Sequence, residues 1–170
     1  MEFIDKMKAQ ARQNIKTIIL PEVEDIRILQ ATDKILKEGF AKVMLLGNRE
    51  ELLKRAEDNN IDIKNAEFYD VNEADNAKYY IEELYKLRKD KGMTLEEAEE
   101  LIKTNSRYLA TMMVKLGDAD GYVSGASHST SDTFKPVLRI IKGAGDIKTI
   151  SSFFVMDCPD KNFGEDGIFR

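Results

Sequence analysis

The segment Asp120-Gly121-Tyr122-Val123-Ser124-Gly125-Ala126-Ser127-His128-Ser129-Thr130-Ser131-Asp132-Thr133 carries the densest set of groups in this chain able to do chemistry. A short apolar stretch ends at Val123, small hydroxyl-bearing residues follow around Gly125, and a helical pattern resumes at about Asp132. At such a junction unpaired backbone amides and the positive end of a helix dipole converge, and serine and threonine hydroxyls add further hydrogen bonds. That makes it an anion site in outline. The same composition also serves simply to cap a helix. From the residues alone both readings stand.

Other candidates are weighed the same way. His128 is the single histidine, and the single cysteine, Cys158, lies 30 positions further on, so the usual zinc ligand set cannot be assembled from them. His128 is then either a general base or a loop-packing side chain. Arg88 closes a long helical segment, where the dipole already favours a cation; its other use would be to fork a phosphate of a nucleotide tail. Lys135, Arg139 and Lys142 follow the hydroxyl-rich loop on its helix and either rim an anion or solvate one face. Cys158, next to Pro159, has no thiol-activating neighbour and reads as packing.

These residues need a scaffold, and the pattern supplies one. Helical and strand patterns alternate: a helix over 2–13, a strand at Thr17-Ile18-Ile19-Leu20 stopped by Pro21, a helix over 24–38 closed by Gly39, and a strand at 42–46. A charged helix over 49–58, a weak strand at 67–70 and a long helix over 73–90 follow. Gly92 stops that helix, and Thr94-Leu95-Glu96-Glu97 is a capping-box signature for the next. Residues 106–116 read as a helix capped by Gly117, 121–123 as a strand, 132–142 as a helix with Pro136 in its first turn, and 149–156 as a buried strand. Strand–helix alternation with short connections predicts an α/β fold, with a mainly parallel sheet flanked by helices. The stretch 157–170 holds turn chemistry and reads as the start of a second α/β unit. The domains expected are therefore 1–145 and the beginning of another over 146–170, in what reads as a fragment of a longer protein.

Bulk properties bound the function. Hydrophobic residues at 42% and charged residues at 34% describe an ordinary globular chain. The net charge, 26 − 31 = −5, disfavours non-specific nucleic-acid binding. A single cysteine forbids an internal disulfide and suits a reducing cytoplasm. The acidic N-terminus lacks signal-peptide character, and no apolar run approaches the roughly 18–20 residues of a membrane span.

Several of these segments carry a family resemblance. Ile19-Leu20-Pro21-Glu22-Val23-Glu24-Asp25-Ile26-Arg27 resembles the LPE-x-ED-x-R opening of phosphate acetyl- and butyryltransferases. Tyr85-Lys86-Leu87-Arg88-Lys89-Asp90-Lys91-Gly92-Met93-Thr94 is similar to their ELRK-x-KG-x-T helix end. The stretches from Met112 to Gly121 and from Ser124 to Thr130, then Ser151-Ser152-Phe153-Phe154 and Gly164-Glu165-Asp166-Gly167, continue the match in order from about residue 3 to 169.

The resemblance implies a three-layer α/β domain of the isocitrate/isopropylmalate dehydrogenase-like kind, paired with a second α/β domain across an active-site cleft. It implies the reaction acetyl-CoA + phosphate ⇌ acetyl phosphate + CoA in a cytoplasmic homodimer. Coenzyme A is then a substrate, with no metal or other cofactor, no nucleic acid and no membrane partner. By the same resemblance Ser127, Ser129 and Thr130 face substrate phosphate, while Arg88 and Lys135 serve coenzyme A. Lys135 stands in Thr133-Phe134-Lys135-Pro136 where the family has T-x-RP, so charge is kept but the planar fork is lost. Lys161 stands where some relatives carry a cysteine near the cleft. The family's catalytic serine, arginine and aspartate lie in its C-terminal part, so no catalytic residue is assigned here and the chain alone is expected to be inactive. The rival readings are phosphate butyryl transfer and a non-catalytic domain that binds a nucleotide or a partner. A dehydrogenase is disfavoured because no Gly-x-Gly-x-x-Gly follows any strand.

Overall fold

The computed structural model describes residues 3–141 and 143, then 154–158, 162 and 168–169. Strand positions 149–153, together with Lys142, Lys161 and Gly164-Glu165-Asp166-Gly167, lie outside the described residues. The chain divides into two compact units, Ile15–Lys142 and Met1–Asn14 with Gly143–Arg170.

The larger unit is built on four parallel strands, β1 (Thr17–Leu20), β2 (Lys42–Leu46), β3 (Glu67–Tyr69) and β4 (Gly121–Tyr122), in the order β3-β2-β1-β4. Helices α2 (Ile26–Glu38), α3 (Arg49–Glu57), α4 (Ala77–Arg88), α5 (Leu95–Thr104), α6 (Ser106–Leu116) and α7 (Thr130–Ile140) surround them. The result is a three-layer α/β arrangement. Strand side chains alternate between faces, so each strand feeds two cores. Ile19 and Leu46 join Tyr80, Leu84, Ile102, Met112 and Ile140 from α4 to α7. Leu20, Val43 and Leu45 join Leu29, Leu52 and Ile63 on the α2–α3 side. Such short strands are stable because both faces are covered.

Local chemistry sets the helix ends. Asp25, Asn48 and Asn105 accept amide hydrogens of the first turns of α2, α3 and α6. Thr94 and Glu97 form the expected capping box of α5, with both reciprocal bonds at 3.1 Å. Gly39 and Gly117 end α2 and α6 in the left-handed region, at φ 65° and 89°.

Three expectations for the larger unit are corrected. α4 begins at Ala77 instead of 73, because Asp70 folds the preceding residues into a turn: Asn72 N donates to its Oδ1 at 2.9 Å and Ala74 N to its carbonyl at 2.9 Å. α7 begins at Thr130, two residues early, because Ser129 and Asp132 bond each other. The Ser129 hydroxyl donates to Asp132 Oδ2 at 2.6 Å and accepts from Asp132 N at 3.2 Å. Pro136 therefore sits in the second turn, where its missing amide hydrogen deprives the Asp132 carbonyl of a helical donor.

In the smaller unit, α1 (Phe3–Gln13) accompanies β5 (Met156–Asp157), which pairs antiparallel with β6 (Ile168–Phe169). Phe154, Val155 and Met156 are exposed, so the described end of the 149–156 segment is not the buried strand anticipated.

Because the α5 cap supplies both reciprocal bonds, Thr94→Ala should cost about 1–2 kcal/mol, read from the urea midpoint at unchanged slope. An unaltered midpoint would refute the cap's contribution.

Candidate functional site

The strand register determines which residues meet at the carboxyl end of the sheet. β1 and β4 pair with Ile18 opposite Gly121 and Ile19 opposite Tyr122, an offset of 121 − 18 = 103. Carried past both strands, 22 + 103 = 125 brings Glu22 against Gly125. The hydrogen bond from Val123 N to Ile19 O at 3.0 Å carries the pairing one residue past β4.

Glu22 is fully buried and its carboxylate is the anion that the loop holds. Oε2 accepts the amides of Gly125 at 2.6 Å and Ala126 at 2.8 Å. Oε1 accepts the Ser127 amide at 3.2 Å, the Ser127 hydroxyl at 3.2 Å and His128 Nδ1 at 2.8 Å. Successive amides turned toward one point form such an anion cradle, and Gly125 at φ 111° supplies backbone that a side chain would strain. Burial pushes the Glu22 pKa up, but bonds from the Ala126 amide, His128 and the Ser127 and Gly125 amides outweigh it together. The net pKa falls from 4.5 to about 2. An ionised carboxylate only accepts, so His128 must carry a hydrogen on Nδ1.

The rest of the 21–27 segment clasps the same loop. The one hydrogen of the Ser127 hydroxyl is shared between Glu22 and Glu24 Oε1, the latter at 2.8 Å, and Arg27 Nη2, held by Asp25, donates to Ala126 O at 2.8 Å. The LPE-x-ED-x-R pattern thus has a physical purpose: its acidic and basic side chains shape residues 125–128. Glu22 carries no assigned role from the sequence alone. Its signal was present, in a glutamate two residues beyond one strand matched to small residues beyond another.

The amides expected to cradle a substrate phosphate have a partner within the protein. The amides of Gly125, Ala126 and Ser127 are engaged by Glu22, and Ser127 is turned toward Glu22 and Glu24. Ser129 is the N-cap of α7, and Thr130 is exposed in its first turn. No acceptor among the described residues engages the Thr130 and Ser131 amides. His128 is partly exposed and packs against Glu22, as its loop-packing reading expected.

Lys135 stands further along α7, and Arg88, the last residue of α4, lies beside the far end of that helix. Arg88 Nη1 is 3.5 Å from the carbonyl of Arg139, at the far end of that helix, and its Nε is buried without a partner. At about 1.5 Å per residue, Thr130 and Arg139 are roughly 14 Å apart along the axis. Lys135 lies between them, exposed. A cleft of about 420 Å³ at this far end is lined by Arg88, Lys91, Met93, Glu97, Glu100 and Arg139. Another, also about 420 Å³, lies beyond the ends of β1–β3, where Glu24, Glu51 and Asp70 outnumber Lys103. A polyanion is favoured in the first and repelled from the second. Among the described residues no group of three His, Cys, Asp or Glu is arranged to hold a metal ion, and no helix is long and apolar enough to cross a membrane.

Because the Glu22 pKa is depressed in the folded protein, its stabilisation is complete above the unfolded value near 4.5 and is lost as pH falls toward about 2. Glu22→Gln should lower stability at pH 7 by roughly 1–3 kcal/mol. It should also flatten the stability–pH curve in that acid window. Denaturation at several pH values checks both, and a variant curve parallel to the parent's would refute the assignment.

Residues 2–165 match the phosphate acetyl/butaryl transferase family. The phosphate acetyltransferase of Thermoanaerobacterium thermosaccharolyticum is 46% identical over 169 residues, covering 99% of this chain and 51% of its own length. That of Acetivibrio thermocellus is 43% identical over 169 residues, covering 99% and 50%. Among solved structures, the EutD phosphotransacetylase from Staphylococcus aureus superposes with a TM-score of 0.80 at 33% identity, over 90% of this chain and 46% of its own. The chain spans about half the length of the curated relatives it matches. With the parallel sheet, the ordered loop and these matches in agreement, this chain belongs to the phosphate acetyl/butaryl transferase family.

Proposed function

We propose that the chain is the substrate-holding N-terminal part of a phosphate acetyltransferase, which interconverts acetyl-CoA plus phosphate and acetyl phosphate plus coenzyme A. In this reading, residues 1–145 form one domain, and 146–170 open a second across a cleft of the dehydrogenase-like kind. The enzyme is a cytoplasmic homodimer that uses coenzyme A as substrate and needs no metal.

The observation that carries the reading is the layout of α7. One end presents a rigid hydroxyl loop and two amides without acceptors; the other borders a cleft with three cations. Coenzyme A is a long polyanion whose reactive thiol is far from its nucleotide phosphates, so it needs widely separated holds. Arg88 would take the nucleotide end with Lys135 along the way, and Ser129 and Thr130 would face phosphate. Ser127, its hydroxyl engaged by Glu22 and Glu24, would act by shaping the loop. In the transfer the coenzyme A thiolate attacks the acetyl carbon, a C–S bond forms, and the C–O bond breaks to release phosphate. Holding both anions in register removes much of the entropic barrier. Neutralising the tetrahedral oxyanion falls to groups of the C-terminal part.

Calorimetric titration of coenzyme A tests this directly. Lys135→Arg restores the planar fork and should tighten binding several-fold, while Arg88→Met should weaken it about tenfold or more. The 170-residue chain alone should give no acetyl phosphate in a coupled assay. Failure of the chain to bind coenzyme A, or indifference of both variants, would overturn the assignment.

A further inference from the structure

Arg107 has no role in anything above, yet it is a buried charge without an ion-pair partner among the described residues. It sits in the first turn of α6 and is only 8% exposed. Its Nε is buried with no hydrogen-bond partner. No carboxylate of the described residues lies within ion-pair distance of it. Burying a guanidinium N–H without an acceptor is unfavourable, so the group retains capacity for an anion beyond its electrostatic interaction with Asp132.

Its position can be derived from its neighbours. Thr111, one helical turn along the same face of α6, donates its hydroxyl to the Arg107 carbonyl at 2.6 Å and lies 3.1 Å from the Tyr122 hydroxyl. Tyr122 in β4 therefore faces α6. Ser124, two residues further along an extended chain, shares that face, and its Oγ is also buried without a partner. α6 runs opposite to β4, so its first turn, bearing Arg107, lies at the end of the strand where Ser124 emerges. Arg107 also acts electrostatically on Asp132 in the first turn of α7. The Asp132 carboxyl is held below the usual range first by the Ser129 hydroxyl, then by the charges of Arg107, His128 and Lys135. Two orphaned polar side chains thus flank the start of α7, where the Thr130 and Ser131 amides also lack acceptors among the described residues.

We propose that Arg107 and Ser124 bind a phosphoryl anion beneath the first turn of α7, with Arg107 supplying the planar guanidinium that Lys135 cannot. The inference deepens the functional reading by adding two side chains to its phosphate end. It explains how a chain with lysine at position 135 still has a fork to offer.

The test is titration of inorganic phosphate, and separately coenzyme A, into the parent protein and into Arg107→Met, Arg107→Lys and Ser124→Ala, with melting followed in parallel. Phosphate should raise the parent melting temperature. Arg107→Met should weaken phosphate binding at least about tenfold and abolish the phosphate-induced rise. Arg107→Lys should retain a weaker response, and Ser124→Ala should lose several-fold in affinity. Without phosphate, Arg107→Met should melt no lower than the parent, since a buried charge with no hydrogen-bonded counter-ion has been removed. Parent-like phosphate affinity in Arg107→Met overturns the proposal, as does a large loss of stability in that variant that Arg107→Lys repairs with no change in phosphate response. Arg107-dependent phosphate binding without any coenzyme A binding would sustain this inference while sinking the acetyltransferase reading.

Discussion

The architecture of the loop at residues 125–128 depends on a single buried charge. Glu22 follows β1, faces Gly125 through the strand register, and draws the Gly125, Ala126 and Ser127 amides and His128 around its carboxylate. A fully buried carboxylate is tolerable only when its lone pairs are this well occupied. The arrangement therefore restricts the loop as firmly as it restricts the glutamate, and Glu24, Asp25 and Arg27 add outer restraints. Conformational freedom is spent during folding, before any ligand arrives, and that is the condition under which a binding loop holds its partner in one geometry.

The sheet makes this possible by coupling two loops distant in sequence. β1 and β4 are adjacent although 103 residues separate their paired positions. Each face is sealed by its own core, so the register has little freedom to slip: a shift by one residue would exchange Ile19 and Leu20 between α4–α7 and α2–α3. α7 then leaves the clasped loop as a rigid rod that carries Lys135 along its length and reaches Arg139, and beside it Arg88, at the other end. In the proposed function, that separation along one helix would suit a ligand with a distant charged tail.

Much of the scaffold was legible because periodicity reports burial. The runs at 17–20 and 42–46, the Thr94–Glu97 capping box and the stops at Gly39 and Gly117 all follow local rules and stand where those rules place them. The start of α4 and that of α7 were missed by a few residues, because Asp70 and the Ser129–Asp132 pair act through side chains that periodicity does not register. The site was less readable. The hydroxyl-rich loop was evident, but the occupant of its amides was not, since Glu22 meets it only after the strands pair. Arg107 was invisible for a related reason: within Asn105-Ser106-Arg107-Tyr108 it looks like an ordinary helix-opening cation, and only packing shows that its Nε has nothing to bond.

The central claim is that Glu22 is an ionised, hydrogen-bonded internal anion that organises residues 125–128. Carbon-13 NMR of its side-chain carboxyl, followed through an acid titration of the native protein, tests this most directly. The account predicts a midpoint at about 2, well below the ordinary glutamate value. A midpoint in the ordinary range, or a signal that titrates like those of exposed glutamates, would show that the loop is not built around this charge.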